Sequence, residues 1–579
     1  MARTQQGIGF AVGTRLVLAF TCLMLAACGG GSGGSGSGPT PPIANIADDP
    51  VVDDTADGSD TADGSDTADG SDTADGSDTA DGSDTADGSD TAEGSDSSDG
   101  SGWEPGVFES MDTFAAMCAS PREGSFPDIE GTLTDENNWL RSMSNDTYLW
   151  YDEIDDVDPG TIDNALDYFD LMKTFALTPA GNRKDRFHFT FDTEAWEQLS
   201  GSGVSAGYGM QISLVSSTPP RKAIVAYTEP DTPATSVNLA RGAEILEVDG
   251  VDLINASGSA NIDVLNAGLF PSELDATHEF LVRDLNASET RLVTMTSREI
   301  MSIPVQNVTT IDTVSGKVGY ILFNDHIATS EQLLIDAVKE LKEAEISDLV
   351  LDLRYNGGGF LDIANEAAYM IAGSATEGLV FDELQFNDKH LNFDPVTGRL
   401  LTPTLFRTTA RGFSASAGIA LPTLELPRVF VLTSGGTCSA SEAIINGLNG
   451  IDIEVIQIGS NTCGKPYGFY ALDNCGTSYF TIQFRSVNAK GFGDYTDGFS
   501  PSSDVTEPSG TALPGCNVAD DLFHALGDPE EAKLATALSF RENGVCPEPV
   551  ASARRLSVIG HPEGQVLKHE WLRNMTITP

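Results

Sequence analysis

"TSGGTCSASEAIINGL", Thr433 to Leu448, is a place where a strand gives way to a helix. The apolar residues before it, "RVFVL", end at a glycine-rich turn. From Ser439 onward apolar side chains recur at helical spacing. Two nearby stretches have the same opening. "LVLDLRYNGGGF", Leu349 to Phe360, runs from an apolar strand into glycines at 357 to 359, and "IEVIQIGS" leads into "NTCGKPYGF", which holds Gly464 and Lys465. Around them, "ATSEQLLIDAVKELKEA" and "LDIANEAAYMIAG" are amphipathic helices, and "KVGYILFND" is a further strand. Strands alternating with helices predict an α/β core with a mostly parallel sheet over residues 299–550. In such sheets functional groups gather beyond the carboxyl ends of the strands. Ser439, Lys465 and the three glycines all fall there.

These residue types suit acyl transfer. A serine opening a helix sits in positive potential, which favours developing negative charge. The N–H of Ala440 is one of the helix's unpaired donors and is available to an oxyanion. A lysine replaces the usual histidine base if burial lowers its pKa from about 10.4 towards neutrality. "CGKPYGF" has few charges nearby, which favours that.

Upstream, residues 199–298 carry strand-like runs, "YGMQISLV", "KAIVAYTE" and "HEFLVRDL", separated by turn residues. "LARGAEILEVDGVDL" adds a helix end, a strand, a tight Asp249-Gly250 turn and another strand. Together these resemble a PDZ domain. The resemblance implies that Gly207, Tyr208, Gly209 and Met210 form a carboxylate-binding loop, with a peptide adding to the adjacent sheet edge. A small β-domain with a blocked groove is the other reading. Residues 107–198 read as a small helical region. "TDENNWLRSMSNDTYLWYDEI" opens with a Thr-Asp cap, "NALDYFDLMKTFAL" is amphipathic, and "KDRFHFTFDTEAW" alternates like a strand. Packing of this region against the core is its expected role.

"DLRYNGGG", "CSASEA" and "GKPYG", in this order and after a PDZ-like segment, resemble the S41 family of serine peptidases, which includes the carboxyl-terminal processing, or tail-specific, proteases. The resemblance covers roughly residues 108 to 550. It implies a multidomain α/β chain whose core is related to the ClpP and crotonase folds. The family serine stands three residues before a glutamate, here Glu442, which makes it Ser439, with Ser441 the local competitor. The family lysine follows a glycine, which makes it Lys465. The family oxyanion donors map to the N–H groups of Gly358, with Gly359 as the near alternative, and of Ala440. Where tail-specific proteases usually carry a glutamine, four residues after the lysine, this chain has Phe469. Pro466 follows the lysine directly. Some relatives use a histidine from the helical region, but "TYLWYDEIDDVDPGT" contains none, and His188 and His326 read as structural. The expected activity is serine endopeptidase action on exported or misfolded proteins. A catalytically silent body that binds peptide tails as an adaptor is the alternative.

At the N-terminus, Arg3 and Arg15 precede an apolar run that ends in Leu25-Ala26-Ala27-Cys28, an export-signal pattern over residues 1–28. It resembles the lipobox of bacterial lipoproteins, which implies acylation of Cys28 and a stable lipid anchor. Gly29 at the following position favours the outer membrane, with the body facing the periplasm. Residues 29–106 are Gly/Ser-rich and then acidic, with six copies of TADGSD from Thr55 to Asp90. Such a tract lacks apolar side chains to offset the entropy of ordering and predicts a disordered tether. As a flexible chain it would span roughly 50 Å. Calcium binding by "DGSD" is the rival role. The formal charge is -55, and residues 29–106 supply 20 of the acids with no Lys or Arg. A body this acidic argues against nucleic acid as a partner. Residues 551–579 read as a C-terminal tail.

Six cysteines follow Cys28. In an exported chain an even number suggests disulfides. Short spacing favours Cys463–Cys475 and Cys516–Cys546, leaving Cys118 for Cys438. A zinc site is the other use of these residues, but Cys-x-x-Cys pairs, His at ligand spacing and HExxH are all missing from the sequence. No metal or cofactor is expected.

Overall fold

The continuous apolar runs become the centre of a seven-stranded sheet in the computed structural model, which describes residues 103–179, 181–216, 218–505 and 510–548 and the short strands Gln565–Val566 and Met575–Thr576. The lipobox, Cys28 and the acidic repeats lie outside the described residues. Among the described residues no helix is long and apolar enough to cross a membrane.

In the core sheet, Val305–Thr313 pairs antiparallel with Gly316–Phe323. From there every pairing is parallel, through Asp348–Asp352, Arg428–Thr433, Glu454–Gly459, Ala512–Asn517 and Ser500–Ser502. Successive strand residues point to opposite faces. Leu349, Leu351 and Leu353 pack with the helices Ser330–Glu343, Leu361–Ala372 and Ala440–Gly450 on one face. Val350 and its neighbours Phe430 and Ile456 face the other way, against Leu534 and Ala537 of the helix Ala532–Asn543. Burial on both faces is why these strands read as unbroken apolar runs. Trimming one such residue, Leu351 for example, to alanine costs about 2–5 kcal/mol.

The PDZ-like domain has its own sheet and its own core around Tyr208, Ile212, Val225, Ile245, Leu265 and Phe280. Strands Met210–Ser216, Lys222–Thr228, Glu244–Val248 and Thr277–Arg283 fall on the runs named above. Arg241 ties this domain to the core. Its guanidinium donates to Tyr355 Oη (2.6 Å), Asp520 (2.9 Å) and the His524 carbonyl (3.0 Å).

The helical region departs from expectation in two places. Its first helix is Leu133–Thr147, capped by Thr132 in a capping box with Asp135, so the Thr-Asp pair lies inside the first turn. "KDRFHFTFDTEAW" is a strand only over Phe189–Asp192. Asp192 then caps the helix Thr193–Ser202, because its carboxylate accepts the Ala195 N–H.

The disulfides are Cys118–Cys475, Cys438–Cys463 and Cys516–Cys546. The expected Cys463–Cys475 and Cys118–Cys438 pairs are therefore wrong, and only Cys516–Cys546 stands. Sequence spacing measures loop closure and not the destination of a turn. Cys475 sits in the tight turn between Leu472–Asn474 and Thr477–Phe480, and that hairpin is placed against the start of the helical region, where Asn474 accepts the Ala116 N–H at 2.9 Å.

Candidate active site

Ser439 ends the loop that follows the strand Arg428–Thr433 and opens the helix Ala440–Gly450. It is fully buried and holds φ +59 with ψ −113, a backbone state that a non-glycine residue adopts only when its surroundings impose it. Its hydroxyl has no hydrogen-bond partner among the described residues. Ser441 differs, since its hydroxyl donates to the Asn356 carbonyl at 3.0 Å. One of the two candidate serines thus has its hydroxyl spent on structure.

Glu442 imposes the geometry. Its carboxylate is completely buried, and one oxygen accepts both the Ser439 N–H (2.9 Å) and the Lys465 N–H (2.8 Å). The other accepts the Gly464 N–H (2.9 Å) and the Thr462 hydroxyl (2.6 Å). The serine and lysine loops therefore share one buried acceptor. Burial pushes the Glu442 carboxyl above its ordinary pKa, while these four donors pull it back. A covalent link runs in parallel, because Cys438 precedes Ser439 directly and is bonded to Cys463, two residues before Lys465. Cys438, Glu442 and Cys463 bring their ligand atoms within 4.8 Å of one another, but both sulfurs are committed to the disulfide.

Lys465 is fully buried. Its amine lies 4.4 Å from the centre of the Phe469 ring and 4.6 Å from that of Phe187. The amine thus lies over two phenyl rings, whose negative faces attract a cation. Phe187 comes from the helical region, so that region completes the site, and its neighbour Arg186 donates to the Cys463 carbonyl at 2.7 Å.

The glycine turn closes the other side. The Asn356 carbonyl accepts the Cys438 N–H at 3.1 Å, which joins the turn to the serine loop. The Asn356 side-chain amide donates to the Phe323 carbonyl (3.0 Å), so its oxygen faces the Gly358 N–H (3.0 Å) and His326 Nδ1 (2.9 Å). The Gly358 N–H is thus directed at Asn356 rather than offered to an oxyanion. Gly359, at φ +129, lies so close to His326 that a Cβ would meet its carbonyl oxygen at 2.4 Å, which admits only glycine. His326 is fully buried beside this turn and its Nδ1 carries the proton given to Asn356. The sequence offered no signal for its position. His188 is remote in role: it bonds Thr481 and the Phe169 carbonyl, stacks on Phe169, and burial lowers its pKa to about 4.

In the PDZ-like loop, Gly207 pairs with Arg298, and Met210 with Thr228. Gly209 approaches Thr232 so closely that a Cβ would lie 2.4 Å from it. Tyr208 is buried, its ring 5.4 Å from Phe280, and so belongs to the domain core.

A buried serine hydroxyl at a helix N-terminus, a buried amine on the adjoining loop and backbone donors around both are the groups needed to activate a hydroxyl and stabilise a tetrahedral oxyanion. Comparison with known proteins points the same way. Residues 317–468 match the family described as Peptidase family S41. The Carboxyl-terminal-processing protease of Picosynechococcus sp. (strain ATCC 27264 / PCC 7002 / PR-6) is 25% identical over 273 residues, which is 46% of this chain and 56% of that protein, so the match spans little more than half of the relative. A solved structure from Bacteroides fragilis NCTC 9343, assigned as an S41 protease, matches 73% of this chain and 100% of its own with a TM-score of 0.51 at 22% identity. The segment that holds the glycine turn, Ser439 and Lys465 is a Peptidase family S41 domain.

Proposed function

We propose that this protein is a serine endopeptidase with a Ser439–Lys465 dyad. The observation that carries the reading is the Glu442 carboxylate, which accepts the backbone N–H groups of both residues on a single buried oxygen. In the reaction, the neutral Lys465 amine takes the Ser439 proton as Oγ bonds to the substrate carbonyl carbon. The resulting oxyanion is held by the N–H groups of Ala440 and Gly359, with Gly358 joining if its N–H leaves Asn356. The lysine ammonium then protonates the leaving amine as the C–N bond breaks. Water, deprotonated by the same amine, hydrolyses the acyl ester and returns the proton to Ser439.

Substrates in this proposal are exported or misfolded proteins, with tails engaged at the edge of the PDZ-like domain. The chain is proposed to be lipid-anchored through Cys28 at the bacterial outer membrane, facing the periplasm. Palmitate labelling of wild type and Cys28→Ser tests the anchor, and label retained in the variant would remove it.

The Gly358 N–H turned towards Asn356, and Phe469 against the amine, favour a second reading, a non-hydrolysing body that binds tails as an adaptor. Turnover of unfolded casein decides between them. Ser439→Ala and Lys465→Ala should each abolish it, the pair together no more than either alone. The wild-type rate should rise with pH, since only the neutral amine accepts a proton. A wild type as inert as Ser439→Ala would leave the adaptor.

A further inference from the structure

Two short strands from the C-terminal part of the chain lie on the surfaces a substrate peptide would need. Gln565–Val566 pairs antiparallel with the Met210–Ser216 strand, Gln565 opposite Leu214 and Val566 opposite Ser213. Without it, Met210–Ser216 would be the open edge of the PDZ-like sheet. An open edge is where a peptide adds a strand. The added segment also runs towards the Gly207–Met210 loop, the polarity expected of a tail approaching it. Met575–Thr576 pairs parallel with Gly359–Phe360 and lies against Tyr467–Gly468, which begins two residues after Lys465. Its backbone therefore sits between the glycine turn and the lysine loop. Nine residue steps separate Val566 from Met575, a reach of about 30 Å at full extension.

We propose that Gln565–Val566 and Met575–Thr576 are cis-bound, peptide-like occupants of the tail-binding edge and the active-site turn, and that they hold substrate out of the site. The inhibitory part of this inference rests on the peptidase reading above. A tethered ligand meets its site at an effective concentration of about 1 mM. A pairing with a Kd of about 0.1 mM in trans would then keep the site filled roughly nine times in ten and lower turnover about tenfold. The occupancy needs no tight interface. It also leaves the site open to any substrate that pairs better than the chain's own strands.

The test uses the full chain carrying Val566→Pro and Thr576→Pro. Proline removes a ladder donor and fixes φ, so neither segment should pair. Three quantities are read. Amide exchange at Ser213, Leu214 and Gly359 should quicken about tenfold, while Phe360, whose N–H donates to the His326 carbonyl, should not change. A fluorescein-labelled peptide of residues 562–579, titrated onto each form in a Ser439→Ala background, should bind the proline variant about tenfold more tightly. Casein turnover should rise about tenfold, and the unlabelled peptide should return it to the wild-type rate. Unchanged exchange and peptide binding would overturn the occupancy. Faster exchange with tighter binding, but no turnover by either form, would keep the occupancy and remove the peptidase reading. Faster exchange with equal turnover by both forms would overturn the blocking role.

Discussion

Glu442 shows how much of a site can rest on a residue that never meets the substrate. In the sequence it served only as a distance marker for Ser439. In the fold it accepts four donors, three of them backbone N–H groups on the serine and lysine loops. Glu442→Gln keeps the shape but turns an NH2 group towards N–H donors, and leaves them unsatisfied. We expect a stability loss of about 1–3 kcal/mol. kcat should fall about 10- to 100-fold with KM nearly unchanged, and Glu442→Asp should fail to restore it. A change in KM alone would show that Glu442 shapes the substrate surface instead of placing the dyad. Ser441→Ala, which removes one structural hydrogen bond, should cost about 0.5–1.5 kcal/mol and retain most activity. Loss of all activity in Ser441→Ala beside an active Ser439→Ala would reverse the assignment of the nucleophile.

Among the elements, the Asp348–Asp352 strand and the turn after it hold a cluster of buried charges. Arg354 is completely buried and donates to Asp352, to Asp520 (2.8 Å) and bidentately to Glu531 (2.8 Å each), which anchors the helix Ala532–Asn543. Arg354→Ala strands these carboxylates and should destabilise the fold by about 3–5 kcal/mol, measured by urea unfolding. A loss under about 1 kcal/mol would mean that water reaches the site and replaces the guanidinium. The strands and helices of the core were legible because period and burial agree there: "LVLDL" is apolar throughout as both of its faces are covered. The sheet formed by Thr404–Leu405, Val380–Gln385, Phe484–Val487 and Tyr467–Gly468 was not legible. Its strands are short, mixed in pattern and far apart in the chain, so only tertiary packing selects them. The same holds for the aromatic seat of Lys465, since Phe187 and Phe469 are 282 positions apart in the numbering and meet only in the fold. Ser439, Lys465 and the glycine turn were readable because each sits at a strand's carboxyl end, where local punctuation marks it.

For the molecule as a whole, two buried carboxyls make stability depend on pH. Burial, the main cause, raises Asp382 to about 7 and Glu366 to about 8, against ordinary values of 3.8 and 4.5. Both hold their protons in the folded state over a range where the unfolded chain has released them. Stability from this source is present below pH 4 and is lost as pH rises to 8. Asp382→Asn and Glu366→Gln should therefore raise Tm at pH 8 and leave it nearly unchanged at pH 4. Equal shifts at both pH values would point to packing and not to protonation. The three disulfides act on the same scale, and Cys438–Cys463 closes a loop of 25 residues. Replacing both cysteines by serine should cost about 3 kcal/mol. It should also lower kcat, because the serine and lysine loops would then be held by hydrogen bonds alone, those to Glu442 and the one from the Cys463 N–H to the Thr437 carbonyl. Before its cysteines are oxidised, a newly made chain lacks the covalent half of that clasp. Under the proposed export, the proposed hydrolytic centre would be completed only after the chain leaves the reducing compartment that made it, so that export itself would arm the protein and spare the proteins of its birthplace.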